Sequence, residues 1–275
     1  TKGVVEMLRS NPDYKGLMLT ISEALEKANK NTLLISVDNH KDSLAISRSV
    51  LDKVKNKVII DHHRRSEEFI SSPVLTYLEP SASSTVELLV ELFDYQQHEI
   101  EISSLDATIM YTGMLVDTNY FRQHVGTRTF QSAAKLKEAQ ADLSLAYELL
   151  EDSFECMKEI FDITESAYRY KDKFLIATGK DEELSRSTLA KAANQLVYVS
   201  GIYAAFAIGY ISKNTVAISA RSSKKVNVQM IMENDALHGG GHFSMAACQI
   251  ENVTIEEAKE RLEHAIDAYL EDRGV

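Results

Sequence analysis

The sequence contains no tryptophan, two cysteines and three prolines, and it has no long apolar run. Cys156 and Cys248 are far apart and form no metal-spaced pair, which argues against a cysteine metal site and is typical of free thiols in a reducing compartment. No signal peptide is visible, and no run approaches the roughly 18 apolar residues that a membrane-spanning helix needs. We therefore expect a soluble domain that faces the cytoplasm.

Basic residues are also scarce, because 30 Lys and Arg stand against 41 Asp and Glu, a net charge of −11. A long nucleic acid is bound mainly through neutralisation of its phosphates, which favours a basic face. This balance argues against a broad surface for nucleic-acid polymers. A small anionic substrate held by metal ions remains compatible, because the ions supply the local positive charge.

The order of predicted elements indicates an α/β fold with two domains. Apolar runs at 32–38, 57–61 and 74–79 alternate with helical stretches, which is typical of a parallel sheet covered on both faces. One of these helices begins at Ser83 or Ser84, with Glu87 placed for a capping box to Ser84. After about residue 152 come a long helix at 154–170, a β-hairpin turning at 212–214 and a mixed α+β arrangement. The 275 residues thus divide into 1–152, a linker helix at 153–172 and a smaller domain at 173–275.

Acidic and histidine side chains follow the predicted strands of the first domain. Asp38 and the triplet Asp61-His62-His63 end two strands, and Asp117 ends a later apolar segment. A lone aspartate there is more often a cap, and a lone histidine pair is more often structural. Their joint occurrence at the edge where open α/β sheets bind ligands favours a divalent metal site. Two such ions would activate a water and clamp the oxygens of a phosphoryl group.

In the second domain the strongest signal is the run Gly239, Gly240, Gly241 and His242. Successive glycines permit positive φ and close backbone approach, and their N–H groups, leading into a helix start, would form an anion nest. Alone, such a run is more often a flexible loop. Together with His242 and with the strand-end guanidinium of Arg221, it favours a site for a phosphate.

Several other residues leave two interpretations open. Arg64 and Arg65, directly after the triplet, either meet a phosphate or begin a solvated loop, and the same holds for Arg122 and Arg128. No role follows from the sequence for His40. Surface or packing positions are expected for His98, His264 and Cys156.

Three stretches resemble motifs of the DHH phosphoesterase superfamily: Val-Asp at 37–38, Val-Ile-Ile-Asp-His-His at 58–63 and Gly-Met-Leu-Val-Asp-Thr at 113–118. The Gly-Gly-Gly-His run at 239–242, with Ala-Ala at 246–247, resembles the DHH-associated substrate-binding domain. More narrowly, the segments at 61–65, 79–84 and 220–222 resemble the GdpP-type cyclic-di-AMP phosphodiesterases of Gram-positive bacteria. The resemblance covers nearly the whole chain.

The resemblance implies a centre of two Mn²⁺ ions and attack by a metal-bridging hydroxide. Asp38 would bridge the ions, His62 and Asp117 would bind the second ion, and His63 would meet the substrate or orient ligands. The implied catalytic residues are therefore Asp38, His62, His63 and Asp117. The implied substrate-binding residues, which hold the nucleotide across an interdomain cleft, are His63, Arg64, Arg221, Ser222, Gly239, Gly240, Gly241 and His242. The product would be the linear dinucleotide pApA.

One motif of the family, His-x-x-x-Asp-x-Asp, is missing from the sequence. In the family it lies upstream and supplies three metal ligands, so we expect this chain to be a catalytic fragment that holds one ion or none. The resemblance also implies a parent protein anchored in the membrane, with a PAS-like sensor and a degenerate cyclase-like domain, and a homodimeric assembly.

Other functions stay open at this point. Within the same superfamily, the alternative activities are those of an oligoribonuclease and of a phosphoadenosine phosphatase. An inorganic pyrophosphatase would need no nucleotide pocket, and a single-strand exonuclease fits the charge poorly. A catalytically incomplete module for nucleotide binding or dimerisation is a different class. The sequence does not separate cyclic di-AMP from cyclic di-GMP.

Overall fold

A computed structural model describes residues 2–96, 101–223 and 225–273. The chain divides into two compact units, Thr1–Glu151 and Asp152–Val275. Each unit contains helices packed around its own sheet, in agreement with the predicted α/β class. Among the helices described, none is both long enough and apolar enough to cross a lipid bilayer.

The sheet of the first unit is parallel, with the order β1-β2-β3. Its strands are β1 (Leu33–Val37), β2 (Asn56–Asp61) and β3 (Leu75–Leu78). Val37 pairs with Ile60, so the carboxyl ends of β1 and β2 meet at one edge. The helices of this unit are α1 (Lys2–Ser10), α2 (Ile21–Lys27), α3 (Arg48–Lys53), α4 (Thr85–Phe93), α5 (Ser104–Asp117), α6 (Thr127–Glu138) and α7 (Leu143–Glu148).

The two strands that carry the acidic residues differ in burial. The last three residues of β2 are buried, as expected for a strand covered on both faces. In β1, by contrast, Leu33, Ile35 and Val37 are about half exposed. The prediction of two equally covered strands is therefore wrong for β1, which stands at one end of the described sheet order and packs through alternate residues only.

The start of α4 combines a predicted cap with an unpredicted buried carboxylate. The Ser84 hydroxyl accepts a hydrogen bond from the Glu87 N–H at 3.2 Å, as expected for an N-cap. The Glu87 side chain does not complete the capping box with Ser84. It accepts hydrogen bonds from the hydroxyls of Ser83 and Thr129, at 2.7 and 2.9 Å. Because Glu87 is almost fully buried, it requires these extra donors.

The second unit has a mixed sheet with the order β4-β5-β6-β7-β9-β8, in which β5 and β6 are parallel and the other neighbours antiparallel. Its strands are β4 (Tyr168–Tyr170), β5 (Phe174–Glu183), β6 (Ala204–Ser212), β7 (Thr215–Ser222), β8 (Gly240–His242) and β9 (Met245–Glu251). Helices α10 (Val228–Met232) and α11 (Ile255–Glu271) belong to one core cluster, and α8 (Phe154–Glu165) and α9 (Arg186–Leu196) to another.

The segment predicted as one linker helix, 153–172, is a helix followed by a strand. Helix α8 ends at Glu165, and the Ser166 hydroxyl donates to the carbonyl of Thr178 on β5 at 2.9 Å. Tyr168 and Tyr170 then donate their hydroxyls to Glu263 and Asp267. These long-range bonds hold the two tyrosines in β4, where local helical spacing would have continued α8.

Strand β9 was missing from the predicted elements. Its burial alternates along the strand, with Ala246, Cys248 and Ile250 facing the core. Small residues hide this pattern, because alanine on both faces gives little contrast in hydropathy. Strand β8, formed from the glycine run, pairs with β9 in antiparallel register.

The glycine run does not lead into a helix, so the predicted anion nest at a helix start is wrong. A Cβ on Gly239 would lie 2.5 Å from the Ala247 oxygen, and one on Gly241 would lie 2.4 Å from the Met245 oxygen. Gly241 also has φ +150°, which disfavours other residues. These two glycines therefore let β8 approach β9 closely. A Cβ on Gly240 would meet nothing within 4 Å.

We expect Gly241→Ala to destabilise the protein by about 2 kcal/mol or more, because the added carbon overlaps β9 and the backbone angle is unfavourable. Gly240→Ala is the matched control and should lose no stability. Urea unfolding followed by circular dichroism measures both. Equal free energies of unfolding for the two variants would show that β8 does not pack as described.

Candidate metal centre and sheet-face pocket

The ends of β1 and β2 bring three potential metal ligands together. Asp38, His62 and His63 each offer a ligand atom, and these atoms all lie within 4.8 Å of one another. The Nε2 atom of His62 is 3.4 Å from Asp38 Oδ1. Thr85, at the start of α4, donates its hydroxyl to the same oxygen at 2.7 Å. The parallel register thus converts two strand ends into one site.

Asp38 reaches this position through an unusual backbone conformation. It has φ 63°, in the left-handed region that aspartate tolerates better than most residues. Its N–H donates to the Ile60 carbonyl at 2.9 Å, so the chain stays attached to β2 while it turns. The carboxylate is half exposed at the sheet edge. The prediction from sequence did not include this turn or the contact with Thr85.

Asp61 is fully buried and organises the residues around it. One carboxylate oxygen accepts hydrogen bonds from the His63 N–H at 3.1 Å and from His63 Nδ1 at 2.7 Å. The other oxygen is bonded to His40 Nδ1. Burial alone would raise the pKa of Asp61, but the hydrogen bonds from His63 and His40 hold the pKa well below its usual value. Asp61 is therefore a buried anion that orients its neighbours.

His40, to which the sequence assigned no role, is part of this arrangement. It is almost completely buried. Its Nε2 accepts a hydrogen bond from the Ser66 N–H at 3.3 Å, which places the ring proton on Nδ1, toward Asp61. The spacing Asp-x-His at 38–40 was the available signal, but its partner, Asp61, lies 21 residues away.

The two histidines of the triplet are held differently. His62 Nδ1 lies 3.3 Å from the Ala82 carbonyl, which fixes the proton there and leaves the Nε2 lone pair toward Asp38. This is the usual arrangement of a metal-binding imidazole. The hydrogen bond to Asp61 raises the pKa of His63, although its partial burial acts in the opposite direction. Asp61 therefore favours the protonated form of His63.

Asp117, the last residue of α5, interacts electrostatically with Asp38, His62 and His63. Burial, with the charge of Asp38 as a second cause, raises the pKa of Asp117 to about 6, while His62 and His63 act in the opposite direction. A carboxyl group whose ionisation is disfavoured by a neighbouring carboxylate is a common feature of sites that receive a cation. The residues present therefore fit a divalent ion, held by Asp38 and His62 with Asp117 close by.

A left-handed turn holds the end of α5. Asn119, Tyr120 and Phe121 have φ of 46°, 58° and 59°. Such angles cost non-glycine residues roughly 1 to 2 kcal/mol each. Backbone bonds compensate, since the Tyr120 N–H donates to the Leu115 carbonyl and the Gln123 N–H to the Thr118 carbonyl, at 2.8 and 2.9 Å. Strain of this kind is typical of functional sites.

The second unit contains a pocket of about 310 Å³ on one face of its sheet. We call it the sheet-face pocket. Helix α9 forms one wall, and small residues of β7, β8 and β9 form the floor; the lining includes Leu189, Ala217, Ser219, Gly240, Ala247 and Gln249. Arg221 also lines it, donates to the Ser219 hydroxyl and the Ala220 carbonyl, and has its pKa lowered by burial. A partly buried cation beside an apolar floor suits an anionic ligand with a flat ring.

The other predicted substrate-binding residues are dispersed. Gly241 lines the sheet-face pocket, whereas Gly239 packs against β9. His242 is exposed at the end of β8. Ser222 is buried and donates its hydroxyl to the Val226 carbonyl at 2.6 Å, so that hydroxyl is used within the fold. Arg64 is exposed directly after the triplet.

The remaining arginines have structural partners. Arg65 stacks over the Phe69 ring at 4.9 Å. Arg128 pairs with Glu91 and, at 3.5 Å, with the buried Glu87, so it is an ion-paired residue of α6 and not the start of a solvated loop. The Arg122 N–H bonds to the Thr118 carbonyl in the left-handed turn. Among the residues expected at surface or packing positions, His98 lies outside the described residues.

Two family models match the chain. The model of the DHH family, N-terminal domain, matches residues 1–114, and that of the DHHA1 domain matches residues 171–272. The chain is also similar to a solved structure, an exopolyphosphatase-related protein from Bacteroides fragilis, with a TM-score of 0.81 and 21% identity over 96% of this chain and 80% of that one. This likeness supports the fold.

Curated relatives share more of the sequence. The chain is 42% identical to the cyclic-di-AMP phosphodiesterase PdeA of Listeria monocytogenes, over 97% of this chain and 42% of the relative. It is also 42% identical to the cyclic-di-AMP phosphodiesterase GdpP of Bacillus subtilis, over 92% of this chain and 38% of the relative. The chain therefore spans about two fifths of the length of these relatives.

We expect His40→Leu to lower the free energy of unfolding by about 2–3 kcal/mol, because a buried carboxylate loses a donor. His40→Asn should recover part of this loss, since its amide nitrogen can approach the position of Nδ1. His264→Leu, on the exposed face of α11, is the control. Urea denaturation measures all three, and equal stability of His40→Leu and His264→Leu would refute the role of His40.

Asp117→Asn should raise the thermal stability of the metal-free protein at pH 7, by an amount on the order of 1 kcal/mol. The reason is that the folded protein keeps a proton on Asp117 up to about pH 6, whereas the unfolded chain loses it near 3.8. The wild-type fold therefore loses stability as the pH rises from about 4 to 6, and the variant should not.

Calorimetry in the presence of EDTA across this pH range tests the expectation. Added Mn²⁺ should then stabilise the wild type more than the variant, because the ion replaces the proton as the partner of Asp117. A lower melting temperature of Asp117→Asn in EDTA at pH 7 would contradict the expectation.

Proposed function

We propose that this chain, which belongs to the DHH family and carries a DHHA1 domain, is a phosphodiesterase that opens cyclic di-AMP to the linear dinucleotide pApA. The observation that carries the proposal is the cluster of Asp38, His62 and His63 at the joined ends of β1 and β2. Relatives that are 42% identical over nearly the whole chain bear the name cyclic-di-AMP phosphodiesterase.

The residues that would hold a metal are Asp38, His62 and Asp117, and Mn²⁺ suits their mixture of carboxylate and imidazole ligands. When bound, such an ion lowers the pKa of a coordinated water and offsets the charge of a phosphate. Thr85 and the Ala82 carbonyl keep the ligands in place through their bonds to Asp38 and His62. The protein's own contribution here is orientation.

Each unit contains a side chain whose positive charge suits a phosphate, His63 in the first unit and Arg221 in the second. Asp61 favours the protonated form of His63, and an imidazolium there can donate a hydrogen bond to a phosphate oxygen. Arg221, largely removed from solvent in the sheet-face pocket, suits a second phosphate. The apolar floor formed by Ala217 and Ala247 suits a nucleobase.

The competing functions differ in what they demand of this pocket. An inorganic pyrophosphatase would not need an apolar floor beside Arg221. An oligoribonuclease or phosphoadenosine phosphatase would use the same metal ligands on another nucleotide, so substrate comparison separates it from the proposal. A nucleotide-binding module would retain binding without metal-dependent turnover.

The test is turnover of cyclic di-AMP, a short oligoribonucleotide and 3′,5′-phosphoadenosine with Mn²⁺, measured by chromatography. The protein is assayed as this chain and with any residues that its gene encodes before Thr1. We expect pApA as the main product and about 10²-fold or greater loss of kcat in His62→Ala, because a metal ligand is removed. Arg221→Ala should mainly raise KM.

His264→Ala, an exposed histidine outside both sites, is the matched control and should retain wild-type rates. Faster turnover of the oligoribonucleotide or of phosphoadenosine than of cyclic di-AMP would overturn the proposed substrate. Turnover that persists in EDTA, or unchanged in His62→Ala, would overturn the proposed site.

A further inference from the structure

The sheet-face pocket has a second polar end that the proposed function does not use. Arg186, the first residue of α9, donates from Nη2 to the side-chain oxygen Oε1 of Gln249 at 2.9 Å. Both residues line the pocket. Gln249 lies opposite Ala217 in the register of β7 and β9, whereas Arg221 lies opposite Met245. The pair Arg186–Gln249 therefore stands at the far end of the floor from Arg221.

The spacing of the two ends matches one nucleotide. Arg221 lies four positions after Ala217 on β7, which at roughly 3.4 Å per residue is about 14 Å of strand. Long side chains at both ends shorten the open distance. Between them the floor consists of small residues, Ser219, Gly240 and Ala247, which leave room for a planar ring. A phosphate at Arg221 thus places the attached base near Gln249.

The orientation of the Gln249 amide is set by chemistry. A guanidinium carries only donors, so Arg186 can bind only the amide oxygen. The NH₂ group of Gln249 therefore points away from Arg186 and can donate to a ligand. A fixed donor pairs with an acceptor nitrogen and disfavours an N–H group. Adenine has an acceptor at N1, whereas guanine carries a proton there.

We infer that Gln249, held by Arg186, is a specificity-determining residue that selects adenine over guanine nucleotides in the sheet-face pocket. The inference rests on the proposed function for the identity of the substrate class, a cyclic dinucleotide. It adds the group on the protein that distinguishes the two bases. Arg186 acts through Gln249 and is a positioning residue.

The test compares binding and turnover of cyclic di-AMP and cyclic di-GMP, by isothermal titration calorimetry and by chromatography. Gln249→Glu keeps the size of the side chain and replaces the donor by an acceptor. We expect it to weaken cyclic di-AMP binding about 10-fold, the effect of one hydrogen bond, and to strengthen cyclic di-GMP binding. Arg186→Ala should reduce the preference for adenine, because the amide can then rotate.

Gln195→Glu makes the same change of charge on the exposed side of α9 and is the matched control, expected to leave both affinities unchanged. Equal wild-type affinity for the two nucleotides, no binding of either, or an unchanged ratio in Gln249→Glu would overturn the inference. A wild type that prefers cyclic di-AMP in binding but does not hydrolyse it would sink the proposed phosphodiesterase activity and leave the inference supported.

Discussion

The candidate metal centre depends on one buried anion. Asp61 has no exposed surface, and an ionised carboxylate without partners is among the most costly groups to bury. His40 and His63 offset that cost through hydrogen bonds to the two carboxylate oxygens, which also fix both rings in position. Asp61, the first residue of the triplet, is thus a structural anion. Of its two partners, His40 is buried, whereas His63 lies beside Asp38 at the sheet edge.

Electrostatics around this anion explain why the site suits a cation. The charge of Asp38 disfavours ionisation of Asp117, and the chain as a whole carries an excess of 11 negative charges. Without an ion, the folded protein reduces the repulsion only up to about pH 6, where Asp117 keeps its proton. The two units also differ in how they provide positive charge. The first would take it from a metal, and the second already has it in Arg221.

The sequence predicts the fold class and the strand ends well, because both depend on local patterns. Asp38 and Asp61 follow short apolar runs, and parallel strands bring such ends to one edge. The contacts of Thr85 and His40 could not be predicted, since they join residues 47 and 21 positions apart. The glycine run misled for a different reason. The sequence alone does not distinguish a glycine that allows close packing between strands from one that forms an anion nest.

The sequence also failed to predict which side chains of the second unit are buried. The sequence does not show which residues of β9 face the core, because alanines occupy both faces of the strand. Only the structure shows that Ala246 and Ala247 lie on opposite sides of the sheet and that β9 contributes to the floor of the pocket. Gln249 and Arg186 carried no signal in the sequence at all. The two residues come together only because β7 pairs with β9 and because α9 begins at Arg186.

The left-handed turn after Asp117 links the lifetime of the site to motion in the backbone. Tyr120 and Phe121 occupy their angles against intrinsic preference, so they stay there only while their hydrogen bonds hold. Local opening at the end of α5 would break these bonds and release the Asp117 carboxylate from its position. The rate at which the Tyr120 and Gln123 amide protons exchange with solvent would measure how often this opening occurs.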